Sequence, residues 1–205
     1  MISLNGLRKN SLFALVMLAS IFTACKEDEV VPEEENEEEI ITDIKLIFTN
    51  TADASDVVVA SAQDPDGAGV QELEILNEVN LSQQKTYLMT MEVMNNLDTP
   101  GEDIAKEIAE EDDEHQIFFS FSNNVFSNPT GNGNIDNGAD MVNYNDFDAN
   151  GNPVGLSTTW TTAASELIGG TFTVRLQHQP ALKSATTGAN DGDTDFELTF
   201  VLNIQ

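Results

Sequence analysis

The strongest constraint on the fold is the alternation of apolar and polar residues along short stretches of the chain. In residues 171–177 and 196–204 every second side chain is apolar. A period of two is typical of β-strands with one face in a core and the other in water, whereas a helix needs a period near 3.6. The same alternation recurs in residues 40–49, 57–62, 72–76, 86–94, 116–121 and 156–161.

About eight short strands of this kind, separated by turns rich in Gly, Asn and Asp, predict a mainly β fold: a single antiparallel β-sandwich, immunoglobulin-like, over residues 40–205. The 40% apolar content supplies one core for such a domain. Trp160 stands on an alternating stretch and is expected in that core. The first strand is expected to bury one face: Ile40, Thr42, Ile44, Leu46 and Phe48.

One short helix is expected to interrupt the strands. Residues 99–102, Thr-Pro-Gly-Glu, form a capping-box pattern whose Thr is the N-cap, and Ile104 and Ile108 form a buried stripe. Five acids follow at 110–114, where the helix dipole is negative and each costs about 0.3–1 kcal/mol at low salt. These acids are either solvated or hold a cation or a basic partner.

The first 24 residues differ in composition from the rest of the chain. They contain no acid, and Arg8 and Lys9 precede an apolar run of about a dozen residues that ends in small residues. A helix that spans a membrane needs roughly 20 apolar residues. The pattern therefore predicts a signal peptide over residues 1–24 rather than a membrane span.

Residues 22–25, Phe-Thr-Ala-Cys, resemble the lipobox of bacterial lipoproteins, although Phe22 stands where Leu is usual. The resemblance implies that Cys25 is diacylated, becomes the mature amino terminus and anchors the protein in a membrane. Two acyl chains give stable anchoring, which one chain does not. The alternative is an ordinary secretory peptide cut near Ala24.

An acidic linker is predicted over residues 25–39. Residues 27–39 contain nine acids and Pro32 without apolar periodicity, so self-repulsion favours an extended, disordered segment. Lys26 followed by acids resembles the surface-export signal of lipoproteins from Bacteroidota-type bacteria. This resemblance implies a lipid-anchored protein of the outer membrane that faces the cell surface, with the periplasmic face as the alternative.

Charge and motif content exclude several functions. With 36 acidic and 8 basic residues the net charge is −28, which repels nucleic acid. The single Cys permits neither an intramolecular disulfide nor a thiolate cluster. The sequence has no Gly-x-Ser-x-Gly elbow, Gly-rich phosphate loop or His-Glu-x-x-His motif, and an acylated Cys25 is no nucleophile. We therefore expect no enzyme and no catalytic residues.

Residues 146–152 carry a pattern typical of calcium binding, and calcium is the one cofactor that the sequence predicts. They resemble the first half of a calcium-binding loop, but Ser157 stands where the chelating Glu would be. The alternative is a hairpin turn built on Asn-Gly. Weaker versions occur at 64–67 and 191–195. The oxygen donors of the main candidate are Asp146, Asp148, Asn150 and Asn152.

The two histidines, His115 and His178, are the other candidate site residues. If the fold brought them together with Glu114 or Asp113, they would bind a transition metal or share a proton. The sequence does not show such proximity. It favours the alternative, two separate histidines on the surface.

Several segments resemble a known family: residues 40–49 after the acidic lead, 64–67, 114–119, 144–156 and 176–180. They are similar to uncharacterised lipoproteins of flavobacterial type from marine and soil Bacteroidota, labelled as a type 1 periplasmic binding fold superfamily. The resemblance implies a lipoprotein, and the label implies two α/β lobes that close on a small solute. About 165 residues with one helix do not build two such lobes. We therefore expect the family's location without that fold.

Two functions follow from these features, and a third possibility is a domain that only coats the surface with negative charge. The first is a membrane-anchored, surface-exposed lipoprotein with a non-catalytic binding domain whose sheet edge or end loops hold a protein or glycan. The alternative is a periplasmic solute-binding or hydrolytic lipoprotein with a ligand pocket. A closed core with shallow loops favours the first, and a deep cavity that converges on His115 or His178 favours the second.

Overall fold

Strands dominate the described chain, as the alternation predicts. The computed structural model describes residues 39–67 and 72–205, and the predicted signal peptide and all but the last residue of the predicted linker lie outside these ranges. Within the ranges, the elements are β1 (Asp43–Asn50), β2 (Val57–Gln63), β3 (Glu74–Ile75), β4 (Val79–Leu81), β5 (Thr86–Asn95), β6 (Glu102–Asp103), α1 (Ile104–Glu110), β7 (His115–Phe121), β8 (Phe126–Asn128), β9 (Ser157–Thr162), β10 (Leu167–His178) and β11 (Asp193–Ile204).

The strands form two sheets, and the prediction of a mainly β, antiparallel sandwich is confirmed. The larger sheet has the order β3-β2-β1-β5-β9-β8, with β6 beside β5, and the smaller has the order β4-β11-β10-β7. Strand β4 pairs with β11 in parallel. The described residues form eleven strands rather than about eight, because β4, β6 and β8 have only two or three residues each and show no alternation in the sequence.

Aromatic rings from both sheets meet in one core around Trp160, as expected. The Trp160 ring on β9 lies 5.1 Å from that of Phe172 on β10 and 5.4 Å from those of Phe119 and Phe121 on β7. Phe126 on β8 lies 4.8 Å from Trp160. Because rings of the larger sheet interleave with rings of the smaller, the two sheets pack face to face.

The first strand buries the predicted face with one exception. Thr42, Ile44, Leu46 and Phe48 are buried as expected. Ile40 is 38% exposed, because β1 begins only at Asp43 and Ile40 lies before it. The period of two therefore holds within the strand and not in the residues that lead into it.

Helix α1 buries Ile104 and Ile108 as expected, but the predicted capping box is wrong. The N-cap is Asp103, whose carboxylate accepts a hydrogen bond from the backbone N–H of Lys106 at 3.2 Å. Residues Glu102–Asp103 pair with β5, so the helix starts later than residues 99–102 predict. In the part of the chain that the structure describes, no helix is long and apolar enough to cross a membrane.

Candidate functional sites

A depression of about 540 Å³ opens on the surface between the segment 134–153 and residues 184–187. Met141 and Phe147 border it and are 71% and 52% exposed. Side-chain amides of Gln116, Asn134 and Asn143 also line it. The volume falls in the range of about 300–1,000 Å³ that is common for small-molecule sites.

The predicted calcium-binding loop borders this depression, and its carboxylates bind the loop's own backbone. Asp148 Oδ1 accepts hydrogen bonds from the backbone N–H groups of Asn150 and Asn152, both at 2.8 Å. Asp148 Oδ2 accepts one from the Asn152 side chain at 2.9 Å. Gly151 has a φ of +86°, which suits glycine and closes the turn. The geometry is that of the alternative, a tight Asn-Gly turn.

Asp146, at the start of the same loop, also accepts backbone N–H groups. Its two oxygens receive hydrogen bonds from Gly155 at 3.0 Å and from Ser157 at 3.2 Å. Burial raises the pKa of Asp146 above its usual value despite these hydrogen bonds. An ion such as Ca²⁺ would compete with these N–H groups for the same oxygens, and calcium binding here stays a prediction.

Lys183 contacts the same loop through Asp148. Its side chain is inaccessible to solvent, and Nζ lies 3.8 Å from Asp148 Oδ2. Nζ also donates hydrogen bonds to the backbone carbonyl groups of Asp112 and His115. Burial lowers the pKa of Lys183 more than the neighbouring carboxylates raise it. The segment after α1 therefore holds the ammonium group of Lys183 through its backbone carbonyl groups, and the paired carboxylate is that of Asp148.

His115 and His178 lie side by side, so the expectation of two separate surface histidines is wrong. His115 begins β7, His178 ends β10, and the antiparallel register sets the two residues directly opposite each other. Their rings stack with centroids 4.3 Å apart and planes 10° apart. His115 is 0% exposed and His178 is 6% exposed. Strand pairing and burial therefore create a histidine pair that spacing along the chain does not reveal.

Carboxylates and a carbonyl group surround the histidine pair. Glu39 Oε1 lies 2.9 Å from His115 Nε2, and the carbonyl oxygen of Glu111 lies 3.3 Å from His115 Nδ1. Glu114, one of the two predicted neighbours, places Oε2 3.3 Å from His178 Nε2. The sequence predicts Glu39 at the end of the disordered linker, but its side chain is only 10% exposed. The packed domain therefore includes Glu39.

The contact between Glu39 and His115 shifts the pKa of both groups. Burial acts to lower the pKa of His115, but the hydrogen bond and negative charge of Glu39 outweigh it and raise that pKa above its usual value. Burial likewise acts to raise the pKa of Glu39, and the hydrogen bond and positive charge of His115 reverse the effect. Both shifts favour an imidazolium–carboxylate ion pair.

Two buried atoms of this cluster have no hydrogen-bond partner: Glu39 Oε2 and His178 Nδ1. Buried polar atoms are rarely left without a partner. One ligand atom from each of Glu39, His115 and His178 lies within 4.8 Å of the other two. Among residues 39–67 and 72–205, this is the group of three or more acidic, histidine or cysteine side chains that is compact enough for a metal ion.

No protein-family profile matches the chain, and no curated protein or solved structure matches it. The similarity to flavobacterial lipoproteins and the immunoglobulin-like type of sandwich therefore stay predictions. The function has to be argued from the sites themselves.

Proposed function

We propose that this chain is a lipid-anchored binding protein of the bacterial cell surface. In this proposal Cys25 carries the acyl anchor in the outer membrane, and the β-sandwich domain holds a glycan or protein ligand without changing it chemically. The lipobox-like residues 22–25 and the acidic residues after them support the anchor. A rigid sandwich whose loops carry the contact residues is a common architecture for binding proteins.

The composition of the depression carries the proposal of binding rather than catalysis. Its lining contains one carboxylate, Asp140, and the hydroxyl groups of Ser184 and Thr187, but no histidine, cysteine or lysine that would activate a hydroxyl group as a nucleophile. A hydrolytic site needs a nucleophile or a pair of acid and base groups within reach of the substrate. The buried pair of His115 and His178 does not line this depression.

The same lining favours a neutral glycan as the ligand. Amide side chains donate and accept hydrogen bonds without charge. Of the three amides that line the depression, Gln116 and Asn134 are buried, and the half-buried Asn143 is the one that is accessible to a ligand. The half-exposed ring of Phe147 provides a flat apolar surface for a sugar face. Since the protein carries a net charge of −28, we expect anionic glycans to bind less well than neutral ones.

Truncation of Phe147 tests the depression as the ligand site. We expect Phe147→Ala to weaken binding by about tenfold, or about 1.4 kcal/mol, while the melting temperature stays the same, because the ring is half-exposed. The measurement is titration with the neutral oligosaccharides that an array of defined glycans selects. Leu76→Ala is the matched control, because Leu76 is 61% exposed and lies outside the depression.

Three outcomes would count against this assignment. Equal loss of affinity in Phe147→Ala and Leu76→Ala would place the ligand elsewhere. Cleavage of a bound oligosaccharide would favour the hydrolytic alternative. Failure of every glycan to bind, together with capture of a protein that Phe147→Ala no longer retains, would replace the glycan by a protein ligand.

Replacement of Cys25 tests the anchor. We expect Cys25→Ser to lose metabolic labelling with palmitate and to move from the membrane fraction to the soluble fraction, because the residue that would carry the acyl chains is gone. Fractionation of cells that produce either protein measures this, with Ser20→Ala as a control in the same leader. Protease treatment of intact cells then separates the two faces: survival of the anchored protein would favour the periplasmic face.

A further inference from the structure

We propose that Glu39, His115 and His178 form a binding site for a divalent transition-metal ion of the zinc class. This inference does not depend on the proposed ligand of the depression. It follows from the contacts of the three side chains and from the two buried atoms among them that lack partners.

The ligand atoms are close and available. His115 Nε2 and Glu39 Oε1 lie 2.9 Å apart, within the separation of two ligands on one ion. His178 Nε2 contacts Glu114, which leaves Nδ1 as the free ligand atom of that ring. Glu39 Oε2 is also buried without a partner. A bound ion would give both atoms a partner. Without one, each atom is buried at the full free-energy cost of desolvation.

The groups that contact the second ring nitrogen of each histidine are also typical of a metal site. Histidine ligands usually hold their second ring nitrogen against a carboxylate or a backbone carbonyl, which fixes the ring and the tautomer. His115 Nδ1 faces the carbonyl oxygen of Glu111 at 3.3 Å. His178 Nε2 faces the Glu114 carboxylate at 3.3 Å. Each histidine thus has one nitrogen held by the protein, while the other faces Glu39 in His115 and has no partner in His178.

The donor set selects the class of ion. Two imidazoles and one carboxylate suit Zn²⁺, Co²⁺, Ni²⁺ and Cu²⁺, whereas Ca²⁺ and Mg²⁺ prefer oxygen ligands throughout. Three protein ligands leave one position of a tetrahedral zinc site for water or for a further carboxylate. The site therefore differs in chemistry from the predicted calcium loop, and one experiment can separate the two.

Binding requires a small, measurable rearrangement. Ligands at about 2.0–2.1 Å from a tetrahedral ion lie about 3.3 Å from each other. Atoms now as far as 4.8 Å apart must approach, whereas His115 Nε2 and Glu39 Oε1, now 2.9 Å apart, must separate and release the proton between them. Two rings that stack at 4.3 Å cannot both point edge-on at one ion, so the ring of His178 has to turn. We expect the ring signals of both histidines to shift together in NMR spectra when the ion binds.

The test uses untagged protein that comprises residues 25–205, with Cys25→Ser so that no thiol competes. Calorimetric titration with Zn²⁺ in the presence of excess Mg²⁺ is expected to give one ion per chain, and Co²⁺ to give the absorption bands of a low-symmetry site. Zn²⁺ at a hundredfold its Kd is expected to raise the melting temperature by about 5 °C or more. A separate titration with Ca²⁺ reports on the loop at Asp146 and Asp148.

Variants then identify the ligands. We expect His178→Ala and Glu39→Gln to weaken Zn²⁺ binding by more than about 100-fold, and Glu114→Gln by about 10–100-fold because it acts through His178. Glu110→Gln is the matched control, because its carboxylate is 65% exposed and pairs with Lys106 away from the cluster. Should His178→Ala fail to fold, Glu39→Gln and Glu114→Gln decide, since both keep the size of the side chain.

Three results would overturn the inference. The first is Zn²⁺ binding that Glu39→Gln and Glu114→Gln leave as strong as Glu110→Gln does. The second is a heat of Zn²⁺ binding that excess Mg²⁺ abolishes, because such competition is typical of binding to the diffuse negative charge of the surface. Absence of any Zn²⁺ or Co²⁺ binding would have the same consequence.

Discussion

Replacement of Trp160 by alanine is expected to lower the free energy of unfolding by about 3–5 kcal/mol. The side chain is 0% exposed, and its ring contacts Phe126 of its own sheet and Phe121 and Phe172 of the facing sheet. The indole Nε1–H donates a hydrogen bond to the Thr158 hydroxyl at 2.7 Å, so truncation also leaves that buried hydroxyl without its donor. The free energy of unfolding of an ordinary domain is about 5–15 kcal/mol, so this loss would be a large share of it.

Urea denaturation followed by far-ultraviolet circular dichroism measures this effect, since Trp160 is the single tryptophan and its fluorescence disappears with it. Trp160→Phe keeps one ring in the core and is expected to cost less than Trp160→Ala. Leu88→Ala serves as the surface control, because Leu88 is 37% exposed on the neighbouring strand β5. A loss below about 1 kcal/mol for Trp160→Ala would contradict a core that is centred on this ring.

Replacement of Lys183 by methionine is expected to lower the free energy of unfolding by about 3–5 kcal/mol, the cost of breaking a buried ion pair. The ammonium group contacts Asp148 and two backbone carbonyl groups, and both paired side chains are at most 1% exposed. Methionine fills the same volume but leaves these acceptors without a donor. The variant therefore tests whether Lys183 holds the loop of Asp148 against the end of α1.

Lys106→Met is the matched control for this substitution. Lys106 pairs with Glu110 one turn along α1, and both side chains are about two-thirds exposed, at 68% and 65%. Exposed pairs of this kind contribute little to stability, because water screens the two charges. Similar losses for Lys183→Met and Lys106→Met in the same urea titration would show that burial of the Lys183 pair has no energetic consequence.

The same ion pair predicts a pH dependence. Burial acts to raise the pKa of Asp148, but the hydrogen bonds from Asn152 and the charge of Lys183 outweigh it, so the folded-state pKa lies below the usual value. Between those two values the unfolded chain binds more protons, and stability falls as the pH is lowered below about 4. Asp148→Asn is expected to lack this component, so its stability should differ less from wild type at pH 3 than at pH 7.

The sequence predicts strands well where the alternation of apolar and polar residues is long. It predicts them less well where a short segment forms a strand only because it pairs with another strand. Strands β10 and β11 extend over twelve residues each and show the period of two throughout most of their length. Strand β4 has three residues and exists because it pairs with β11, far along the chain. Helix α1 starts later than the sequence predicts for the same reason, since pairing with β5 holds Glu102–Asp103 in a strand.

The candidate sites also differ in whether they depend on local sequence or on strand pairing. The turn at Asp148 is local, and the Asn-Gly pattern predicts it. The pairing of His115 with His178 depends on the register of β7 with β10, which joins segments that are distant in sequence. Nothing in the acidic run marks Glu39 as the residue that contacts His115, and nothing near Lys183 indicates its contact with Asp148. Residues that strand pairing brings together can be recognised as neighbours only once the fold is known.

Strand β1 determines how the domain responds to a pull on the chain that precedes it. Such a force would enter at Glu39 and pass along β1, which pairs on one side with β2 and on the other with β5, antiparallel in both cases. A load along a central strand shears both rows of backbone hydrogen bonds at once, instead of opening them one after another. Before it reaches β1, the load must also detach Glu39 from His115. A pull on the preceding chain would therefore load the contact of Glu39 first, and then two rows of backbone hydrogen bonds in parallel.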